Sequence, residues 1–182
     1  MIKIFDKKIN PILDFNIPND LANEIKKFAK NNYKNRDIFK FNGHGRQFCN
    51  LNLHELDISE KVRLFHKECM KKLNIKKYYP EDIYGNFVGV IALNGSQVHI
   101  HSDPRDDENN IHFRLLFMIQ NARKGGEPIL QDTKIKVKNN QGWTNFASEW
   151  SHSCSPISGK TLRIILSMGA YVPRKEFKTW TK

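Results

Sequence analysis

"KTLRIILSMGAYV", residues 160–172, is a long run of aliphatic and aromatic residues with one guanidinium inside it. In an extended strand successive side chains point to opposite faces. Leu162, Ile164, Leu166 and Met168 then share one face, wholly apolar, which belongs in a core. Thr161, Arg163, Ile165 and Ser167 share the other. That second face puts a charge midway along a strand that otherwise reads as buried. A buried arginine without a partner costs roughly several kcal/mol. No acidic residue lies nearby in the sequence, so a bound carboxylate is its natural partner, matched bidentately by the guanidinium fork.

The same strand pattern extends back to residue 81. "YGNFVGVIAL" is rich in β-branched and aromatic residues, and "QVHIHSD" alternates. "IHFRLLFMIQ" follows, then a turn around Gly125-Gly126, then the alternating "TKIKVK" and the turn "NNQG". Before residue 80 the period changes. Leu21, Ile25 and Phe28 are at helical spacing after a Pro-Asn start. Ile58, Val62, Phe65, Cys69 and Leu73 form a second apolar stripe, with Asp57 and Glu60 placed for a capping box and His66 among charged residues on the solvated side. Helices first and about eight strands afterwards define an α+β chain, its helices backing an all-β core. We expect a single domain over 1–182, with 1–80 a helix-rich N-terminal support and 81–175 the β core.

Length and composition agree with that. A chain of 182 residues buries a sizeable core without disulfides. No apolar run approaches the roughly 18 residues of a membrane span, and "MIKIFDKKIN" lacks a signal-peptide block. Cys49, Cys69 and Cys154 are odd in number and widely spaced, as free thiols in a reducing cytoplasm would be. The net charge of +11 invites a nucleic-acid partner, but the lysines are scattered as pairs and do not cluster with arginine and aromatic residues. A solvated lysine surface is therefore preferred to a nucleic-acid site.

"VHIHSDPRDD", residues 98–107, carries the chemistry. Alternation places His99, His101 and Asp103 on one face, so an imidazole and a carboxylate aim at one point. A metal needs a third ligand, and His152 in "EWSHSCSP" supplies a candidate. Two histidines and one carboxylate occupy one face of an octahedral iron and leave the opposite face open. Arg163 lies eleven residues beyond His152.

"HIHSDPRDD", "IHFRLLFMIQNARKGGEPIL" and "WSHSCSPISGKTLRIILSMG" together resemble the iron(II)- and 2-oxoglutarate-dependent dioxygenases, and among them the small prolyl-hydroxylase-like group of bacteria and phages. His101, Asp103, His152 and Arg163 match that family's motif in type, order and spacing, and "GGEP" is similar to its Gly-Gly-Glu turn. The resemblance covers roughly residues 84 to 172. It implies a double-stranded β-helix (jelly-roll) core with the N-terminal helices packed outside. It implies an oxidoreductase with Fe(II) held by His101, Asp103 and His152, and 2-oxoglutarate as cosubstrate with its far carboxylate on Arg163. O2 is the oxidant, ascorbate a supporting reductant, and succinate and CO2 are released. The retained carboxylate at Asp103 favours hydroxylation over halogenation. The substrate would be a peptidyl residue, a free amino acid or another small molecule.

Further residues are open to two readings. His99 is a neighbour of the ligands that hydrogen-bonds 2-oxoglutarate, or an inert polar residue. Arg114 contacts 2-oxoglutarate or an acidic substrate, or is an edge arginine at the surface. The loops 41–50 and 104–110 are solvated turns or covers for the site. Trp143, Phe146 and Trp150 are expected to pack the barrel. The alternatives to the enzyme are a non-catalytic metal-binding module of the cupin type and a dioxygenase acting on nucleic acid.

Overall fold

The computed structural model describes residues 11–41, 43, 45–54, 56–80, 85–104 and 108–177. Its first strand, β1 (Ile12–Asn16), leads into helix α1 (Asn19–Asn32), with Pro18 just before the first turn. Proline is preset for that place and loses no needed donor there. Leu21, Ala22, Ile25 and Ala29 are buried and form the inward stripe of α1. Strands β2 (Lys40–Phe41) and β3 (Arg46–Asn50) precede helix α2 (Asp57–Lys72). Helix α2 buries Ile58, Val62, Phe65, Cys69 and Met70, the stripe read from the periodicity. The expected capping box is not made: Leu56 is the N-cap residue and no side chain caps the helix. Asp57 and Glu60 instead stand in the first turn, where their charges favour the helix dipole, and Glu60 pairs with Arg63.

After β4 (Tyr79–Pro80) come eight strands: β5 (Asn86–Ile91), β6 (Val98–His101), β7 (Asn110–Gln120), β8 (Pro128–Leu130), β9 (Thr133–Lys134), β10 (Gln141–Phe146), β11 (His152–Cys154) and β12 (Arg163–Pro173). They build two antiparallel sheets. The larger runs β1-β10-β7-β12-β5-β3-β2, with β4 also on β12; the smaller runs β6-β11-β8-β9. The N-terminal segment thus contributes strands as well as helices. Strand β1 extends one end of the large sheet and β3 the other, pairing with β5 from Arg46↔Ile91 to Asn50↔Phe87.

The two central strands show why the large sheet has one dry face. Ile164, Leu166, Met168, Ala170 and Val172 of β12 are fully buried, and so are Leu115 and Phe117 of β7. They pack under the helices, where the Phe65 and Phe117 rings lie 5.1 Å apart. The opposite faces of β7 and β12 look across a cavity of about 770 Å³ toward the small sheet. Trp143 lines that cavity, whereas Phe146 and Trp150 pack edge to face at 4.6 Å. Among the described residues no helix is long and apolar enough to cross a membrane. Cys49, Cys69 and Cys154 are free and buried, and burial pushes the Cys49 and Cys69 thiols up to about 12.

His66 differs from the sequence expectation. It is only 8% exposed, near the Tyr78 ring and beside Asn86, so α2 is covered on that side by the residue before β4 and the first residue of β5. Burial lowers its pKa from 6.5 to about 4, with the neighbouring Asn86 side chain opposing in part. The native state then takes up this proton only well below the pH at which the unfolded chain does. The stability it contributes is complete above pH 6.5 and is lost as pH falls toward 4. Urea unfolding should show wild type losing up to about 3 kcal/mol more than His66→Phe between those limits. Parallel pH profiles for the two proteins would contradict it.

Candidate active site

Strand pairing brings the site residues together. On the small sheet β11 lies between β6 and β8, and His152 sits directly opposite His101. Their rings are 4.2 Å apart. Asp103 follows β6 by two residues, its backbone N–H anchored on the Ala147 carbonyl at 2.8 Å. One ligand atom from each of His101, Asp103 and His152 lies within 4.8 Å of the others, so the three can hold a metal ion.

The donor atoms are already sorted. His101 Nδ1 donates to the His99 carbonyl at 2.8 Å, and His152 Nδ1 donates to the Trp150 carbonyl at 3.1 Å. A carbonyl only accepts, so both protons sit on Nδ1 and both Nε2 lone pairs are free. Each Nε2 stands 3.6 Å from Asp103 Oδ1. Burial lowers the His152 pKa, with the nearby His101 adding to the effect, which favours the neutral imidazole a metal requires. For Asp103 burial by itself would raise the pKa. The His112 hydrogen bond and the charge of Arg114 outweigh it and hold the carboxyl well below its usual range. Two neutral nitrogens and one carboxylate oxygen suit an octahedral divalent ion such as Fe(II), and would also take Mn, Co or Zn.

Asp103 Oδ2 faces away from the histidines. It lies 3.2 Å from His112 Nδ1 and 3.1 Å from Arg114 Nε. Arg114 is 7% exposed and sits in the cavity wall, not at a surface edge. Its Nη1 donates to Ser167 Oγ at 3.3 Å, and the guanidinium lies 5.4 Å over the Phe87 ring. His112 is 5% exposed and stacks 5.3 Å from Tyr171, which also lines the cavity. Sequence reasoning gave His112 and Tyr171 no role. Their signal was parity: His112 alternates with Arg114 on β7, and Tyr171 with Arg163 on β12.

Arg163 is 4% exposed and lines the same cavity. Its Nε donates to the Gly126 carbonyl at 2.7 Å. Gly126 has φ 78°, and a Cβ there would come 2.8 Å from Arg163 Cδ, so glycine is required at this turn. The neighbouring Glu127 carboxylate is engaged by Ser155 Oγ. Among the described residues no carboxylate forms an ion pair with Arg163. His99 is exposed and absent from the cavity lining; its main-chain carbonyl, which orients His101, is what reaches the site. Residues 105–107 of the loop after Asp103, and Asn42 and His44 of the 41–50 segment, lie outside the described residues.

No protein-family model matches the chain, and the search of curated proteins found no match. Solved structures are similar in fold. A prolyl-4-hydroxylase from Pseudomonas putida superposes with TM-score 0.63 at 10% identity, over 89% of this chain and 91% of its own. A prolyl hydroxylase from Trichoplax adhaerens, in complex with a hypoxia inducible factor oxygen degradation domain peptide fragment, gives 0.64 at 14% identity over 94% and 86%. A viral collagen prolyl hydroxylase from Paramecium Bursaria Chlorella virus-1, in its 2OG complex, gives 0.60 at 16% identity over 90% and 97%. The chain therefore has the fold of the prolyl-hydroxylase-like structures.

The converging Nε2 and Oδ1 atoms yield a direct expectation. Anaerobic titration of the apoprotein with Fe(II) should saturate at one equivalent, and His101→Ala or His152→Ala should each weaken binding by roughly 10–100-fold or more. Unchanged affinity in both variants would refute the assignment.

Proposed function

We propose that this protein is an Fe(II)- and 2-oxoglutarate-dependent oxygenase with a double-stranded β-helix core, a single catalytic domain over 1–182, acting in the cytoplasm. The observation that carries the reading is Arg163: a buried guanidinium without a carboxylate partner among the described residues, in the same cavity as a two-histidine, one-carboxylate cluster. A plain metal-binding module has no use for that charge. A cosubstrate with one end on the metal and a carboxylate at the other uses both.

Fe(II) with bound 2-oxoglutarate supplies the oxidant, with O2 consumed and succinate and CO2 released. The chain's own residues do the rest. His101, Asp103 and His152 hold one face of the metal and leave the other to small molecules. Arg163 binds the far carboxylate and so sets the direction in which the cosubstrate enters. Leu130, Ile165 and Trp143 line the cavity with apolar surface and limit water around the reacting centre. The carboxylate at Asp103 occupies the position that chloride would need, which favours hydroxylation.

The exposure gradient supports the substrate class. Arg163 is at the closed end, while the His101 side chain is 43% exposed at the open end. The cosubstrate then lies deep and the prime substrate meets the metal at the mouth, where a peptidyl residue or a small molecule both fit. Ascorbate would keep iron reduced between turnovers.

With Fe(II), ascorbate and O2 the protein should form succinate from 2-oxoglutarate, slowly alone and faster with its substrate. Asp103→Ala should abolish this. Arg163→Leu should weaken 2-oxoglutarate binding more than about tenfold, the scale of a lost charged partner, while Fe(II) binding persists. Peptides, free amino acids and oligonucleotides tested as accelerators separate the substrate classes. Oligonucleotide stimulation that fades from about 50 to 200 mM salt would transfer the assignment to nucleic acid. A protein that binds iron and 2-oxoglutarate yet forms no succinate with any of them would be a binding module.

A further inference from the structure

We propose that Arg114 and His112 are positioning residues that hold Asp103 as a one-oxygen metal ligand and so keep the third open position of the metal free. The inference rests on the oxygenase reading and adds to it a role for two residues of the cavity wall.

The argument starts from coordination number. An octahedral ion has six positions, and the two imidazoles with one carboxylate oxygen fill three. A cosubstrate chelating through its 2-oxo acid end takes two more, leaving a single position for O2. A carboxylate has two oxygens and can itself chelate. If Asp103 did so, it would fill four positions together with His101 and His152, and the position for O2 would be lost.

The structure sets the two oxygens of Asp103 apart. Oδ1 stands 3.6 Å from both histidine Nε2 atoms. Oδ2 is turned to the opposite side, 3.1 Å from Arg114 Nε and 3.2 Å from His112 Nδ1. Charge-assisted hydrogen bonds of this kind are the strong ones. Rotating Oδ2 toward the metal would break both and leave a buried guanidinium uncompensated.

The two donors are themselves fixed. Ser167 Oγ and the Phe87 ring hold Arg114, and the Ser148 hydroxyl accepts from the His112 backbone N–H while Tyr171 packs on its ring. Both donors come from β7, the strand paired most extensively with β12, so the clamp is built on the stiffest part of the large sheet.

The test compares wild type with Arg114→Met, Arg114→Lys and His112→Phe; the last keeps a ring against Tyr171 and removes the Nδ1 donor. Each protein is titrated with Co(II), whose d–d absorption reports coordination. The Fe(II)-loaded, 2-oxoglutarate-bound proteins are then titrated anaerobically with nitric oxide, which fills an open iron position and is read by electron paramagnetic resonance. Melting curves accompany both. We expect Arg114→Met to shift the Co(II) spectrum and to weaken nitric oxide binding by about tenfold, the scale of one charge-assisted hydrogen bond, with His112→Phe intermediate and Arg114→Lys partly restored. An Arg114→Met protein with a lowered melting temperature but wild-type spectrum and nitric oxide affinity overturns the clamp. If that variant does not fold, the same comparison is made on Arg114→Lys and His112→Phe, and wild-type behaviour in both overturns it. A wild-type protein that takes up no Co(II) overturns the oxygenase reading itself, and the clamp with it.

Discussion

The charge of Asp103 is the constraint around which the site is arranged. A carboxylate removed from water must be neutralised or surrounded by donors. Here the surroundings come from distant parts of the chain: β6 and β11 bring His101 and His152, and β7 brings His112 and Arg114. His112 and Arg114 donate to Oδ2, while the Nε2 lone pairs of His101 and His152 face Oδ1 without donating to it. The small sheet therefore owns the face toward the candidate metal position, and the large sheet owns the face that fixes orientation. The donors of the large sheet keep the carboxylate ionised, and the imidazoles of the small sheet complete the cluster at which it is aimed.

That division explains why the two sheets are so unlike. The large sheet must be rigid, and its central strands β7 and β12 pair over almost their whole length. One face is sealed by Phe113, Leu115, Ile164 and Leu166 against the helices, so the other can carry Arg114, Arg163 and Ser167 without unravelling. The small sheet is short and ends at the mouth. Its edge strand β6 leaves His101 half exposed, which is where a substrate can approach.

Much of this was legible locally. Alternation along 160–172 separated the core face from the Arg163 face, and His101 and Asp103 stood two apart as a strand requires. Helical periodicity found both helices. What escaped was whatever depends on pairing between distant segments. His66 looked solvated because its neighbours in sequence are charged, yet Tyr78 and Asn86, which lie against it, come from just before β4 and from β5. Strands β1 and β3 are short and owe their extended state to β10 and β5, not to their own pattern. The capping box failed because Leu56, not Asp57, occupies the cap position, a one-residue displacement that periodicity does not resolve. Arg114 stood open between surface and cavity because parity shows a shared face without showing what lies across from it.

The charges in the cavity wall bear on what the site can accept. Arg114 is offset by Asp103, which leaves the guanidinium groups of Arg163 and Arg46 in the lining and, in the oxygenase reading, the two positive charges of the metal. A dianion reaching from the metal to Arg163 offsets two of these charges, with its carboxylates at two places where positive charge is concentrated. A monoanion would leave either the metal or Arg163 unmatched, and a cation would find no described carboxylate in the lining other than the one already held. Arg163 donates to the Gly126 carbonyl, and among the described residues no carboxylate is ion-paired with it, although the Glu127 charge lies near enough to act on it. In the oxygenase reading, the same features that make Arg163 costly to bury in the free protein would make it selective for a diacid of the right length.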